Sequence, residues 1–164
     1  MGRRSAGLLI YRKTNGSGAE VLLVHPGGPF FTNKDNGFWS VPKGEIEEHE
    51  VAFEVALREF GEETGNRLPP QLHYHQLPDV RNKSGKTVTV WTAECDLIRP
   101  YISSNTFPLE WPPRSGNIQF YPEADNAGWF SLETAAIKIY PFQRPLLEGL
   151  KTLLRQISPT QKDF

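Results

Sequence analysis

Glu59, Glu62 and Glu63 stand three and four residues apart, a spacing that on a helix crowds three carboxylates around one face and its edge. Like charges so placed repel by some tenths of a kcal/mol per pair, and near a helix C-terminus the macrodipole disfavours them further. A divalent cation reverses both effects, and hard oxygen ligands favour magnesium or manganese. The bland alternative is a solvated helix face, where runs of charge usually sit.

The elements around these residues follow from pattern. Across residues 47–64, Val51, Ala52, Val55, Ala56 and Phe60 recur at helical spacing, predicting a helix buried along one stripe, with Gly65 as its stop. Before it come a short strand at Trp39-Ser40-Val41 and the loop Pro42-Lys43-Gly44; earlier still, apolar runs at 5–12 and 20–25 flank the turn Asn15-Gly16-Ser17-Gly18. Downstream, 72–80 and 87–97 read as an antiparallel pair, turning at Lys83-Ser84-Gly85-Lys86. Pro100, Pro108, Pro112, Pro113 and Gly116 make 99–117 an ordered insertion loop rather than a long regular element. Short strands follow at 118–121 and 128–130, then helices at 132–139 and 141–157, the last packing on Leu146, Leu147, Leu150, Leu153 and Leu154 with Pro145 in its first turn.

Composition sets the limits. A chain of 164 residues, 38% hydrophobic and 23% charged, is expected to fold as one domain over 1–164. No apolar run approaches a membrane span, and the basic start at 1–6 lacks a signal-peptide sequel, so the expected location is the cytoplasm. The single cysteine, Cys95, excludes an intrachain disulfide and a cysteine zinc site. A net charge of -1 gives no basis for gripping long nucleic acids, which leaves a small anionic ligand. Pairing of two chains stays open.

The whole stretch 44–65 reads GEIEEHEVAFEVALREFGEETG. Gly44, Glu50, Arg58, Glu59, Glu62, Glu63 and Gly65 fall at the fixed positions of the Nudix hydrolase signature, which this chain therefore resembles. Seven specified positions recur by chance roughly once in 10⁸ windows at average residue usage. Asn66, where that family usually has an aliphatic residue, is the one departure. The resemblance implies an α/β fold: an α/β/α sandwich with a central mixed sheet and a catalytic loop-helix-loop.

It also implies roles. Glu59, Glu62 and Glu63 would hold the metal, with Glu59 also a candidate base, and a backbone carbonyl at the Lys43-Gly44 turn would add a ligand. Gly44, Glu50, Arg58 and Gly65 form the motif scaffold; an Arg58–Glu50 ion pair requires the helix entrance to fold back. A further acidic ligand or base is expected ahead of Trp129, with Glu123 the better match and Asp125 its rival. The implied chemistry is magnesium-dependent, with manganese a possible substitute: metal lowers the pKa of water, which attacks phosphorus without a protein nucleophile.

Substrate contacts are expected from Lys43, and more weakly from Arg81, Lys83, Lys86, Gln143 and Arg144. Trp39, Trp111 and Tyr140 are placed either as stacking rings or as packing. The implied substrate is a nucleoside triphosphate or dinucleoside polyphosphate. The Trp39-to-Gly44 entrance is similar to that of diadenosine and diphosphoinositol polyphosphate hydrolases, but Lys83, 18 residues beyond Gly65, stands where dinucleoside polyphosphate enzymes usually carry Tyr. Arg81 replaces the Pro of ADP-ribose enzymes. The alternative is a Nudix domain that senses a nucleotide without cutting it, although such proteins usually lose part of the glutamate set.

Overall fold

The computed structural model describes residues 3–16 and 18–157; Met1, Gly2, Ser17 of the expected first turn, and 158–164 lie outside the described residues. Its centre is β1 (Arg4–Lys13), whose residues 5–11 are all buried, as befits a strand covered on both faces. Alternation sends Leu9 and Tyr11 into one apolar cluster and Ala6, Leu8 and Ile10 into another. Helix α1 (Ala52–Thr64) covers the second cluster through Val55, Ala56 and Phe60. Helices α2 (Leu132–Lys138) and α3 (Arg144–Ile157) cover the first, α3 through Leu146, Leu147 and Leu150. The result is the expected α/β/α sandwich around a mixed sheet.

Seven strands build that sheet. β2 (Ala19–Pro26) pairs antiparallel with one half of β1, and the short β3 (Lys43–Glu45) pairs with the other half, Gly7 opposite Lys43 and Ala6 opposite Gly44. β4 (His75–Gln76) and β5 (Val80–Arg81) both pair antiparallel with β6 (Thr87–Glu94), which runs parallel to β1. A separate hairpin of β7 (Thr106–Glu110) and β8 (Ile118–Pro122) leads directly through Glu123 into β9 (Ala124–Ser131), which closes the far edge on β2.

Several expectations are corrected. The helix begins at Ala52 rather than Glu47, and Val51 is an extended N-cap residue, 57% exposed, not part of the buried stripe. The preceding residues form a turn in which the Glu47 N–H donates to Glu50 Oε1 at 2.8 Å. Residues 72–80 supply only β4 and β5, which flank Pro78, a residue that cannot donate to a ladder. Trp39-Ser40-Val41 makes isolated bridges instead of a strand, because the Val41 N–H donates to the side chain of Gln143 at 3.1 Å. Lys43 and Gly44, read as part of a loop, belong to β3. Residues 99–117 contain β7, in which Pro108 is accommodated in a two-stranded sheet that leaves an outer edge free.

Candidate active site

Three segments converge at the C-terminal half of α1. The first is the helix itself, where Glu59 and Glu62 lie one turn apart; the second is the β8–β9 junction, which brings in Glu123. Oxygens of Glu59, Glu62 and Glu123 come within 4.8 Å of one another, the one such acidic group among the described residues. Asp125, the rival for that position, is turned away: its Oδ1 lies 2.8 Å from His25 Nδ1 on β2. The third segment is β3, whose Lys43 N–H donates to Glu63 Oε2 at 3.1 Å.

Gly44 explains why a glycine opens the motif. A Cβ built there would collide with the Glu59 carboxylate, so the backbone of β3 and the side chain of Glu59 share a space that any other residue would fill. Gly65 ends the helix in the left-handed region, φ 76°, its N–H donating to Gly61 O at 2.8 Å. Arg58 ties the scaffold together. Its Nη2 donates to Glu50 Oε2 at 3.0 Å, and its Nη1 to Glu59 and Glu62, each at 3.2 Å. The helix entrance therefore does fold back, with Glu50 bridging the 47–50 turn and Arg58.

The electrostatics are those of an incompletely neutralised acidic pocket. Burial raises the carboxyl of Glu59, and neighbouring Glu62 raises it further. Glu123 is raised for the same two reasons. Glu63 is pushed up to about 8, mainly by burial. A divalent cation answers both causes, replacing lost hydration and offsetting repulsion. The oxygen-only donor set and the close approach of three carboxylates fit magnesium or manganese.

Beside Glu63 lies positive charge. Burial lowers the pKa of the Lys43 ammonium, and the adjacent Lys86 lowers it again, while Glu63 and Glu45 partly compensate. Two ammonium groups are thus held together next to acidic groups. Lys86 stood among the weaker expectations; its neighbourhood with Lys43 arises only because β3 and β6 flank opposite edges of β1.

Other expected contacts are placed differently. Trp39 is 8% exposed, packs edge-on against His25 and Phe130, and donates its Nε1–H to Asp35 at 2.8 Å; its ring belongs to the core. Gln143 is fully buried, with Nε2 donating to Ser40 Oγ at 3.0 Å and Oε1 accepting from Val41. Both bonds tie it to the Ser40-Val41 segment instead. Arg144 donates its Nε–H to Ala136 O at 2.9 Å. Arg81 and Lys83 are exposed near the β5–β6 turn. Tyr140 is half-buried in a row of rings with Phe38 and Phe142. A cavity of about 670 Å³ lies elsewhere, between α1 and residues 65–74, and takes in Arg58, Gly61 and Gly65 but none of the glutamates of the acidic group.

The sandwich gathers a group of carboxylates at one helix end. The NUDIX domain model matches residues 1–150, and the chain belongs to the Nudix hydrolase family. It is 32% identical over 103 residues to the asymmetrical bis(5'-nucleosyl)-tetraphosphatase of Rattus norvegicus, a match spanning 57% of this chain and 66% of that protein. A C. elegans Ap4A hydrolase in a binary complex superposes with a TM-score of 0.62 at 27% identity, covering 94% of this chain and 98% of that one. The NUDIX domain of Shewanella oneidensis NrtR, crystallised with ADP ribose, is 20% identical with a TM-score of 0.61 over 94% and 89% of the two chains; it shares the fold. No helix among the described residues is long and apolar enough to cross a membrane.

Proposed function

We propose that this chain, as one domain, is a magnesium-dependent pyrophosphohydrolase that cleaves a phosphoanhydride of a dinucleoside polyphosphate. The observation that carries this reading is the convergence of Glu59, Glu62 and Glu123 within 4.8 Å, with Lys43 and Lys86 grouped on the Glu63 side. The names of the rat and C. elegans relatives support the dinucleoside class. Lys83 in place of the usual Tyr is the feature that separates this chain from that class, and Lys43 with Lys86 supplies phosphate contacts nearby.

Glu59, Glu62, Glu63 and Glu123 would hold the metal, which supplies charge neutralisation and an acidified water when bound. The protein's own groups do the rest. Lys43 and Lys86 draw phosphate oxygens toward the carboxylates and fix the chain of phosphates in line. Glu59, with its carboxyl raised, is assigned as acceptor of the proton released when a water oxygen bonds to phosphorus. The bridging P–O bond breaks, and the departing nucleotide keeps the bridging oxygen and its electron pair. Manganese would substitute for magnesium.

The test is release of nucleotide products from a panel holding diadenosine tetraphosphate, nucleoside triphosphates and ADP-ribose, with magnesium and with chelator. Diadenosine tetraphosphate is expected to give the highest kcat/KM, and chelator is expected to abolish turnover. Absence of turnover on every phosphoanhydride would overturn the reading.

A further inference from the structure

The β7–β8 hairpin is joined to the sandwich at the candidate active site itself. The Asn105 N–H donates to Glu62 O at 2.7 Å, the Glu123 N–H donates to Asn105 O at 2.8 Å, and the Gly27 N–H donates to Glu123 O at 3.0 Å. The hairpin and the 27–31 loop thus leave the core side by side from the residue that completes the acidic trio. The two then pack on each other. A Cβ at Gly27 would collide with Pro122 O, and Gly28, at φ 95°, lies under the Phe107 ring.

Register decides which side chains share this face. Phe107 is opposite Tyr121 and Leu109 is opposite Gln119, and Trp111 continues the same alternation. Further out, Phe30 meets Trp111 edge to face, with ring centroids 5.1 Å apart. Phe30 is nevertheless 59% exposed, so the pair contributes little to the core and keeps ring surface open to solvent. Polar groups accompany it: Tyr121 OH donates to Gln119 Oε1 at 3.0 Å, and Gln119 Nε2 donates to Trp111 O at 3.4 Å. Flat apolar surface edged by amide and hydroxyl groups suits a nucleobase, whose face stacks and whose edge forms hydrogen bonds.

We propose that Phe30 and Trp111 form a subsite for the distal nucleoside of the substrate. Distance selects which nucleoside. Asn117, the backbone partner of Trp111, lies six residues before Glu123, so the Trp111 end of the arm stands roughly 20 Å from the Glu123 backbone at strand rise. A nucleoside joined by a short phosphate chain to the cleaved linkage falls short of it, whereas the second nucleoside of a dinucleoside polyphosphate lies further along. The subsite rests on the preceding reading of the reaction and makes the arm the element that discriminates two-ended from one-ended substrates.

The experiment compares kcat/KM for diadenosine tetraphosphate with that for ATP in the whole protein and in Phe30→Ala, Trp111→Ala and Phe120→Ala variants. Phe120 is 68% exposed on the opposite face of the same hairpin and controls for disturbance of the arm. Phe30→Ala and Trp111→Ala are each expected to lower the ratio of the two kcat/KM values about tenfold, the scale of one lost base-aromatic stack, mainly through KM; Phe120→Ala is expected to leave the ratio in place. An unchanged ratio in both ring variants, or an equal shift in the Phe120 control, would overturn the subsite. Gel filtration showing a dimer that Trp111→Ala dissolves would overturn it too, by assigning the rings to a second copy. If the unsubstituted protein cleaves neither compound, the reading of the reaction itself fails and the subsite falls with it; turnover without a variant effect removes the subsite alone.

Discussion

Helices α1 and α3 cover opposite faces of one sheet and are of nearly equal length, 13 and 14 residues. α3 follows the rules of a stabilising helix: Leu146, Leu147 and Leu150 are buried, and Arg155 complements the dipole in its last turn. α1 buries Val55, Ala56 and Phe60 equally well, yet its last turn carries no basic residue and gathers Glu62 and Glu63. The carboxyls of Glu59, Glu63 and Glu123 are raised, burial being the first cause of each. Local rules broken at one helix and kept at the other mark where stability has been given up for chemistry. The difference is visible only when charge is weighed together with packing.

Substitutions on the two helices should therefore separate activity from stability. The largest expected effect is from Glu59→Gln, which should lower kcat/KM on the order of 10²–10⁴-fold while leaving the melting temperature equal or higher, because a repelling charge is removed. Glu148→Gln on the exposed face of α3 should change neither. Leu150→Ala should do the reverse, lowering unfolding free energy in urea by about 2–5 kcal/mol with kcat per folded molecule retained. A loss of kcat in Leu150→Ala matching that of Glu59→Gln would erase the distinction.

Gly44→Ala lies between these extremes. The added methyl collides with the Glu59 carboxylate, so a loss of about 1–3 kcal/mol in stability is expected together with a fall in kcat. Unchanged kinetics would show that the β3–Glu59 contact does not set the geometry.

The periodicity of α1 and the spacing of its glutamates were legible because both are local. Its start was not, since Val51 keeps the apolar rhythm one residue beyond the point where the Glu47–Glu50 turn interrupts the helix. Position ahead of Trp129 favoured Glu123 over Asp125 in the sequence, and the fold turns Asp125 toward His25. Lys43 and Lys86 are neighbours through strand order, which no spacing in sequence encodes. Gln143 followed the expectation for a polar residue near a phosphate site, but tertiary contacts committed it to Ser40 and Val41. Pro108 and its neighbouring breakers concealed β7, because a hairpin with a free outer edge tolerates what a central strand does not.

A separate expected effect is on stability against pH. Glu63 has its folded pKa raised from 4.5 to about 8, so the folded state binds its proton more tightly. The stability from this group is complete below pH 4.5 and is lost as pH rises through about 8. Glu59 and Glu123 act in the same direction. Metal-free protein should melt at progressively lower temperature from pH 5 to 8, and the increment gained on adding magnesium should grow over the same interval. Glu63→Gln should flatten the metal-free slope; an unaltered slope would assign it to other groups.

The most direct test is turnover by a protein carrying Glu62→Gln and Glu63→Gln together, measured on diadenosine tetraphosphate across a magnesium titration, with circular dichroism and melting as controls for folding. Normal folding with turnover reduced to background at every magnesium concentration is the expected result. Normal folding with parental turnover and the parental magnesium midpoint would contradict the assignment of the chemistry to these carboxylates.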